Sequence, residues 1–465
     1  MNTVHSARSG TGQGQHFADF EKVSGHLDAL GLFRMMPGLE RMTAMLSRLD
    51  LRRPPFTVVQ VVGTNGKGST STMLERLARE HGLCTGLHTS PHFVSVRERV
   101  RVNGLMLSES VWTGLANTLM RNKGEELSYF EFVTCLAVLA FAEANVDIAV
   151  METGLGGTFD ATTALDADLV VLTPFALDHQ AVLGPTLQDI ARDKSGSIRA
   201  GKPVLSAPQQ PEAEREIRRA TAERGSPLQT VPKFEALPEA LQAASFSMRL
   251  TGEYQIENRR LALAAWKSLN GGKLLSLKAL ETVARRTRDI PEKCIEASAL
   301  ASAWLPGRMQ TIAPRPSDNS FPCASGWPPL LLDGAHNSHG LAALGLSLAR
   351  QGTAPGAVIF SCLADKDLHQ LLPHLRSLAT GPIFVPPIAD NPRAMPPEEL
   401  ARLIGLNAQP AASFSEALAG ASRHLEQRLP EVFSTAVTRH PLLICGSLYM
   451  LGEFFRLRPD CLEML

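Results

Sequence analysis

The chain has 465 residues, 44% of them apolar, and its 46 Lys and Arg balance 46 Asp and Glu. That length suffices for two or three domains with their own cores, and the apolar share is ordinary for a globular protein. The zero balance excludes a global field that would recruit nucleic acid or a membrane surface, while local basic pockets for anionic small molecules stay open.

Met1 to Gln15 is polar, rich in Gly and Ser, and has no apolar core of the kind a signal peptide needs. Residues 1–17 are therefore expected to form a disordered tail. Phe20 to Leu49 has the pattern of one or two amphipathic helices punctuated by Pro37-Gly38. Val58–Val62 then predicts a strand, and Gly63–Ser69 reads Gly-Thr-Asn-Gly-Lys-Gly-Ser before a helical pattern over Thr70 to Leu83. A strand, a glycine-rich turn and a helix N-terminus make a phosphate cradle: backbone N–H groups face the anion and a lysine reaches over it. The common motif G-x-x-x-x-G-K-[ST] is longer. Here only Thr64 and Asn65 separate the first glycine from Gly66-Lys67, which points to one branch of ATP users.

Thr85–His88 predicts a short strand, Phe130–Ala144 a helix, and Ile148–Glu152 a strand that ends in Gly154-Leu155-Gly156-Gly157. The apolar run Thr134–Met151 is broken by Glu143, Asn145 and Asp147, too often for a bilayer span. Leu169–Thr173 predicts a strand ending near Asp178-His179, Leu187–Ile198 a helix and Pro203–Leu205 a strand. Such alternation means βαβ units around a mostly parallel sheet. A second region starts near Leu305-Pro306-Gly307-Arg308, and Pro314–Pro329 reads as a loop or hairpin connection. Strands at Leu330–Leu332, Val358–Ser361, Ile383–Val385 and Leu442–Cys445 follow, with helices at Ser338–Arg350, Leu368–Leu378 and Phe414–Arg428. These bounds give a tail (1–17), a larger domain (18–303) and a smaller α/β domain (304–465).

Seven scattered cysteines (Cys84, Cys135, Cys294, Cys323, Cys362, Cys445, Cys461) form no C-x-x-C pair. They read as reduced thiols of a cytoplasmic protein, not as a disulfide framework or zinc site.

Lys67 stands where a lysine bridges phosphates, and the Ser69 hydroxyl where it meets Mg²⁺ or a phosphate oxygen. Glu152 closes a buried strand, and ligands gather beyond the carboxyl ends of parallel strands. A carboxylate there suits magnesium, although a strand-end Glu also caps helices. His179 is read either as a ligand of a second metal ion or as a hydrogen-bonded structural residue. Ser90, in Thr89-Ser90-Pro91-His92, is alone a turn serine. Lys194 follows Asp193 in a helical stretch, where the local pattern is that of a solvated lysine.

Together these motifs resemble the folylpolyglutamate synthase and dihydrofolate synthase family, within the Mur-type peptide ligases. The resemblance runs over most of the chain. It rests on Gly38–Arg41, Gly63–Ser69, Thr89–His92, Glu98–Gly104, Tyr129–Phe132, Glu152–Gly157 with Asp160-Ala161-Thr162, Leu177-Asp178-His179 and Leu183-Gly184, and later on Pro306-Gly307-Arg308, Asp333–Asn337, Ala364–Asp367 and Gly446–Tyr449. It implies an α/β fold with a P-loop-containing ATPase domain and a smaller, Rossmann-like C-terminal Mur ligase domain. It implies that Thr64, Asn65, Gly66, Lys67, Gly68 and Ser69 hold ATP phosphates, with Asn258, Arg308 and Asp333 also on ATP. Ser90, Glu152 and His179 would bind two Mg²⁺ ions, Lys194 would be carbamylated, and Ser128, Phe159, Asp160 and Ala161 would line the pterin site. Lys67, His179 and Lys194 would be the catalytic group.

Four positions depart from the family pattern: Thr158 for Arg, Thr163 for Asn, Tyr254 for His and Ser338 for Pro. Loss of the arginine is expected to remove a cation from a site that handles anions. The implied activity is ATP-dependent addition of L-glutamate to dihydropteroate, and of γ-linked glutamates to reduced folates, by a monomer that needs neither nucleic acid nor membrane. The alternatives are a Mur ligase acting on a UDP-linked cell-wall peptide, or a nucleotide-binding protein on the same scaffold that has lost its chemistry.

Overall fold

The computed structural model describes residues 16–31, 36–232, 248–272, 274–314, 326–405, 407–428 and 440–462. The expected tail lies almost wholly outside these residues, as do Cys323 and most of the Pro314–Pro329 connection.

Two sheets organise the chain. The first has eight strands in the order β4-β3-β2-β5-β1-β6-β7-β8. They are β1 (Thr57–Val62), β2 (Thr85–His88), β3 (Val100–Val102), β4 (Leu105–Met106), β5 (Ile148–Glu152), β6 (Leu169–Leu172), β7 (Val204–Ser206) and β8 (Leu228–Thr230). Pairing is parallel along β2-β5-β1-β6-β7-β8, and at one edge the reversed strand β3 pairs antiparallel with both β2 and β4. The second sheet has the order β13-β12-β11-β14-β10-β9. Its strands are β9 (Gln310–Ile312), β10 (Leu330–Leu332), β11 (Ala357–Phe360), β12 (Ile383–Val385), β13 (Ala408–Pro410) and β14 (Leu442–Cys445), with β9 alone antiparallel.

Both central sheets are buried on both faces, which is why their strands read as continuous apolar runs. Alternate residues of one strand enter different cores. Val58, Val62, Ala149, Met151 and Val170 pack with the helix Tyr129–Glu143, whereas Val59, Val61, Ile148, Val150 and Val171 pack with Met73, Leu77 and Trp266 on the other side. In the second sheet Leu332, Ile359 and Ile444 face Phe454, while Leu331, Val358 and Leu443 face Leu344 and Leu375.

The topology decides where ligands can go. From β1 the chain crosses to β2 on one side of β5, and from β5 it crosses over β1 to β6. The carboxyl ends of β1 and β5 therefore border the crevice where the winding reverses, the usual ligand position in open α/β sheets. The second sheet repeats this at β10 and β14.

Most expected elements are present, with two shifts that matter. The helix expected from Thr70 starts at Lys67 and ends at Glu80, because left-handed Gly66 (φ +86°) turns the chain early and Gly82 (φ +90°) follows its end. Asp178-His179 does not end a strand: β6 stops at Leu172 and Pro174 breaks the ladder, so the pair sits on a loop. Among the described residues no helix is long and apolar enough to cross a membrane, and the six described cysteines are free thiols.

Candidate active site

β1 hands the chain to Gly63, where a Cβ would run into the Thr173 side chain. The first turn of the helix Lys67–Glu80 has no side-chain cap, so its N–H groups stay available to an anion. Lys67 Nζ lies 3.3 Å from the Thr64 carbonyl, folded over its own loop. Thr64 is pinned in turn: its N–H donates to the Pro174 carbonyl (3.1 Å) and its hydroxyl to the Ala176 carbonyl (3.1 Å). On the helix Glu253–Gly271, Asn258 stands against Gly66, whose Cβ would collide with its amide. Asn258 donates to Gln255 Oε1 (2.9 Å), and Gln255 Nε2 reaches the Ser69 hydroxyl (3.2 Å).

Glu152 ends β5 beside Val61 and is buried. Its Oε2 accepts the Ser90 N–H at 3.0 Å. Burial pushes the carboxyl up, against Lys67, the Ser90 N–H, Arg308 and Arg99. His179 follows in left-handed backbone (φ +52°), and partial burial, against the pull of Asp178, holds its imidazole down at about 4. It is therefore neutral at neutral pH, the form that ligates metals. Among the described residues no group of three or more His, Cys, Asp and Glu side chains forms a metal site. Glu152, His179 and the Ser90 hydroxyl still fit magnesium, which is held by one or two carboxylates together with waters and substrate phosphates.

Lys194 is not the solvated lysine its local pattern suggests. It is 4% exposed, with Nζ donating to the Gly63 carbonyl at 2.9 Å. The helix Leu187–Ser195 packs so closely on the glycine loop that a Cβ on Gly157 would sit 2.7 Å from Lys194 Cα. Burial, reinforced by Lys67, lowers the Lys194 amine to about 7.

One wall carries Ser128, Phe159, Asp160 and Ala161. Ser128 starts the helix Tyr129–Glu143, and its hydroxyl donates to Glu131 (2.7 Å), which also pairs with Arg41 (3.0 Å). Phe159 is 59% exposed, an unusual position for a large apolar ring and a ready platform for a flat ligand. Asp160 is spent on the loop itself, accepting from the N–H groups of Gly154 (2.8 Å), Leu155 (3.1 Å) and Thr162 (3.0 Å). The Thr158 hydroxyl donates to the Asp193 carbonyl (2.9 Å), stapling the loop to the next helix, and Thr158 does not line the cavity. Thr163 is buried between Gln60 (2.7 Å) and the Gly157 carbonyl (2.7 Å).

The second sheet closes the site. Arg308 and Asp333 reach the same cavity, of about 910 Å³, as Lys67, Ser90, Glu152, His179 and Lys194. Asp333 accepts from Met309 N (2.9 Å), Ala335 N (2.8 Å) and the Tyr254 hydroxyl (2.6 Å). Asn65 exchanges amide hydrogen bonds of 3.1 Å with Asn337 and lies 2.9 Å from His339 Nδ1. Asp178 accepts from Lys366 (2.5 Å) and Asn337 (2.9 Å). Burial alone would raise its carboxyl, but His336, His179 and Lys366 together hold it well below the usual range. The sequence reading gave no role to Tyr254, Asn337, His339 or Lys366, although three of them stand in or beside motifs it had marked.

Residues 324–457 match the family described as the C-terminal domain of dihydrofolate synthetase. The chain is 32% identical over 377 residues to the dihydrofolate synthase/folylpolyglutamate synthase of Bacillus subtilis, an alignment covering 78% of this chain and 83% of that one. Among solved structures, Escherichia coli FolC in complex with DHPP and ADP is similar with a TM-score of 0.74 and 28% identity, covering 95% of this chain and 98% of that one. The bifunctional folylpolyglutamate synthase/dihydrofolate synthase of Yersinia pestis, complexed with AMPPNP and Mn ion, gives 0.73 and 27%, covering 94% and 98%.

Proposed function

The chain belongs to the dihydrofolate synthase/folylpolyglutamate synthase family, and on that premise we propose that it is an ATP-dependent ligase joining L-glutamate to dihydropteroate and to reduced folates. One observation carries the reading: the phosphate cradle, the buried Glu152, the Phe159 wall and the Asp333 loop of the second sheet open onto one cavity.

A carboxylate does not acylate an amine, because oxide is not a viable leaving group. ATP removes the obstacle. A carboxylate oxygen of the pterin substrate takes the γ-phosphoryl group as the bond to ADP breaks. The glutamate amine then attacks the acyl carbon, loses its proton, and phosphate departs with the electron pair of the C–O bond. Lys67 and the first N–H groups of its helix bind the phosphoryl oxygens through this transfer. Ser90, Glu152 and His179 would hold magnesium, two ions in our reading, which supplies charge neutralisation for the phosphates. The lowered amine of Lys194 suits carbamylation, since only a neutral amine adds to CO₂. Arg308 and Asp333 would hold the nucleotide from the second sheet and exclude water that hydrolyses acyl phosphates. We take 18–303 and 304–465 as the two units of a cytoplasmic, monomeric enzyme.

The test offers ATP, Mg²⁺ and labelled L-glutamate with dihydropteroate and tetrahydrofolate in parallel, separating products by glutamate number. Ligation with matching phosphate release is expected, and Lys67→Ala should abolish it while leaving the fold intact. Nucleotide binding without ligation of either acceptor refutes the reading.

A further inference from the structure

The amino ends of the first sheet carry a second cavity, far from the first. A cleft of about 680 Å³ opens there, lined by Arg52, Arg53 and Arg199 together with Ser47, Asp50 and Asp166. Arg52 and Arg53 precede β1, Asp166 precedes β6 and Arg199 precedes β7, three adjacent and parallel strands. The phosphate loop lies at the other end of β1. That strand is six residues long, so its ends lie about 20 Å apart at about 3.3 Å per residue. Among the described residues none borders both this cleft and the cavity that holds Lys67 and Glu152.

The positive charge of this cleft is unspent. Among the described residues no hydrogen bond and no ion pair within 4.0 Å holds the guanidinium of Arg52, Arg53 or Arg199. Arg52 and Arg53 are exposed, and water satisfies arginines of that kind. Arg199 is different. It is half-buried, and its Nε is shut off from water with no acceptor. Asp166 and Arg224 are the charges that bear on it, with opposite signs. The nearby Asp168 is already taken by Lys202 (2.9 Å) and the Val58 N–H (3.0 Å). A guanidinium cannot shed its proton, and shielding its N–H without an acceptor is costly. The lining also selects among anions. Guanidinium forks match phosphate oxygens in bidentate geometry. Asp50 and Asp166 repel a bare polyanion, yet they accept from hydroxyl groups carried beside a phosphate. The Ser47 hydroxyl donates to the Thr43 carbonyl (2.8 Å), which leaves its lone pairs for a further donor. A cleft of this volume suits a small organic molecule.

We propose that this cleft is a second anion site, separate from the nucleotide site, where Arg52, Arg53 and Arg199 take the phosphate group of a small hydroxylated phosphate ester. The site does not depend on the ligase reading.

The test is isothermal titration calorimetry of the full-length protein, saturated with a non-hydrolysable ATP analogue and Mg²⁺ so that the Lys67 cradle is filled. The probes are ribose 5-phosphate, ribose and inorganic phosphate. Ribose 5-phosphate should bind saturably and ribose should not. Inorganic phosphate should bind more weakly, because it leaves Asp50 and Asp166 without donors. Loss of a charge-assisted contact should weaken the ester about tenfold to hundredfold in Arg199→Met. Arg199→Lys, which keeps the charge, should recover part of that loss. Arg53→Ala, at an exposed position, should weaken the ester without lowering the melting temperature, and affinity for the ATP analogue should stay unchanged in all three. Lys67→Ala, titrated without the analogue, should keep the site. Failure of both phosphates to bind wild type overturns the proposal. So does an affinity that Arg199→Met and Arg53→Ala leave intact, or one that Lys67→Ala abolishes, which would put the phosphate in the nucleotide cradle. Inorganic phosphate binding as tightly as ribose 5-phosphate overturns the ester. Should Arg199→Met fail to fold, Arg199→Lys and Arg53→Ala decide.

Discussion

Tyr254→Phe isolates one bond between the two halves of the site. Tyr254 lies in the first turn of the helix Glu253–Gly271, and its hydroxyl donates to Asp333 Oδ2 at 2.6 Å. Phenylalanine keeps the ring and removes only the hydroxyl. A hydrogen bond to a charged acceptor contributes about 1.5–3 kcal/mol. Asp333 keeps its backbone donors Met309 N and Ala335 N, so the loss falls at the lower end, about 1.5 kcal/mol. That corresponds to roughly a tenfold shift in the equilibrium that seats the Asp333 loop, which in our proposal holds the nucleotide. Apparent ATP affinity falls with the population of the seated form. KM for ATP and the Kd of a non-hydrolysable analogue should both rise, by at most about tenfold, while binding of the pterin alone stays unchanged. Burial and Asp333 raise the Tyr254 phenol well above its usual value, so it stays protonated and the deficit should not vary across neutral pH. A double-mutant cycle with Asp333→Asn should show coupling between the two positions. Unchanged ATP parameters in Tyr254→Phe would refute this account of how the sheets are joined.

Glu152→Gln should shift the magnesium titration of activity to higher concentration, because Glu152 is the buried carboxylate facing Lys67; an unaltered titration removes it from the metal site. Lys194→Ala should lose most activity and regain part of it with added short-chain carboxylates, and wild type should slow in CO₂-depleted buffer until bicarbonate is restored; indifference of wild type to bicarbonate counts against carbamylation. Gly157→Ala drives a Cβ to 2.7 Å from Lys194 Cα and 2.8 Å from its carbonyl carbon. It should cost about 1–3 kcal/mol in denaturant unfolding and depress turnover by displacing Lys194; wild-type stability and rate would show that the loop and helix separate freely.

Much of the scaffold was legible along the chain. Apolar runs such as Val58–Val62 and Leu442–Cys445 read as buried parallel strands because both faces of each sheet are covered, and Gly63–Ser69 announced its cradle through turn chemistry alone. Periodicity and glycine placement are local properties, so they survive in one dimension. The same logic failed at Asp178-His179, where Pro174 cut the strand short.

Burial of charge and pairing across distance belong to the tertiary structure. Lys194 looked solvated because its neighbours are polar, and only the close approach of its helix to the glycine loop buries the amine under Gly63. Asn65 and Asn337 are 272 positions apart, Asp178 and Lys366 188, and no local pattern records that they meet. The chain by itself specified where phosphate could sit. The packing of helices, loops and sheets against one another decided which charges lose their water there, since that depends on which surfaces face one another and not on the order of residues.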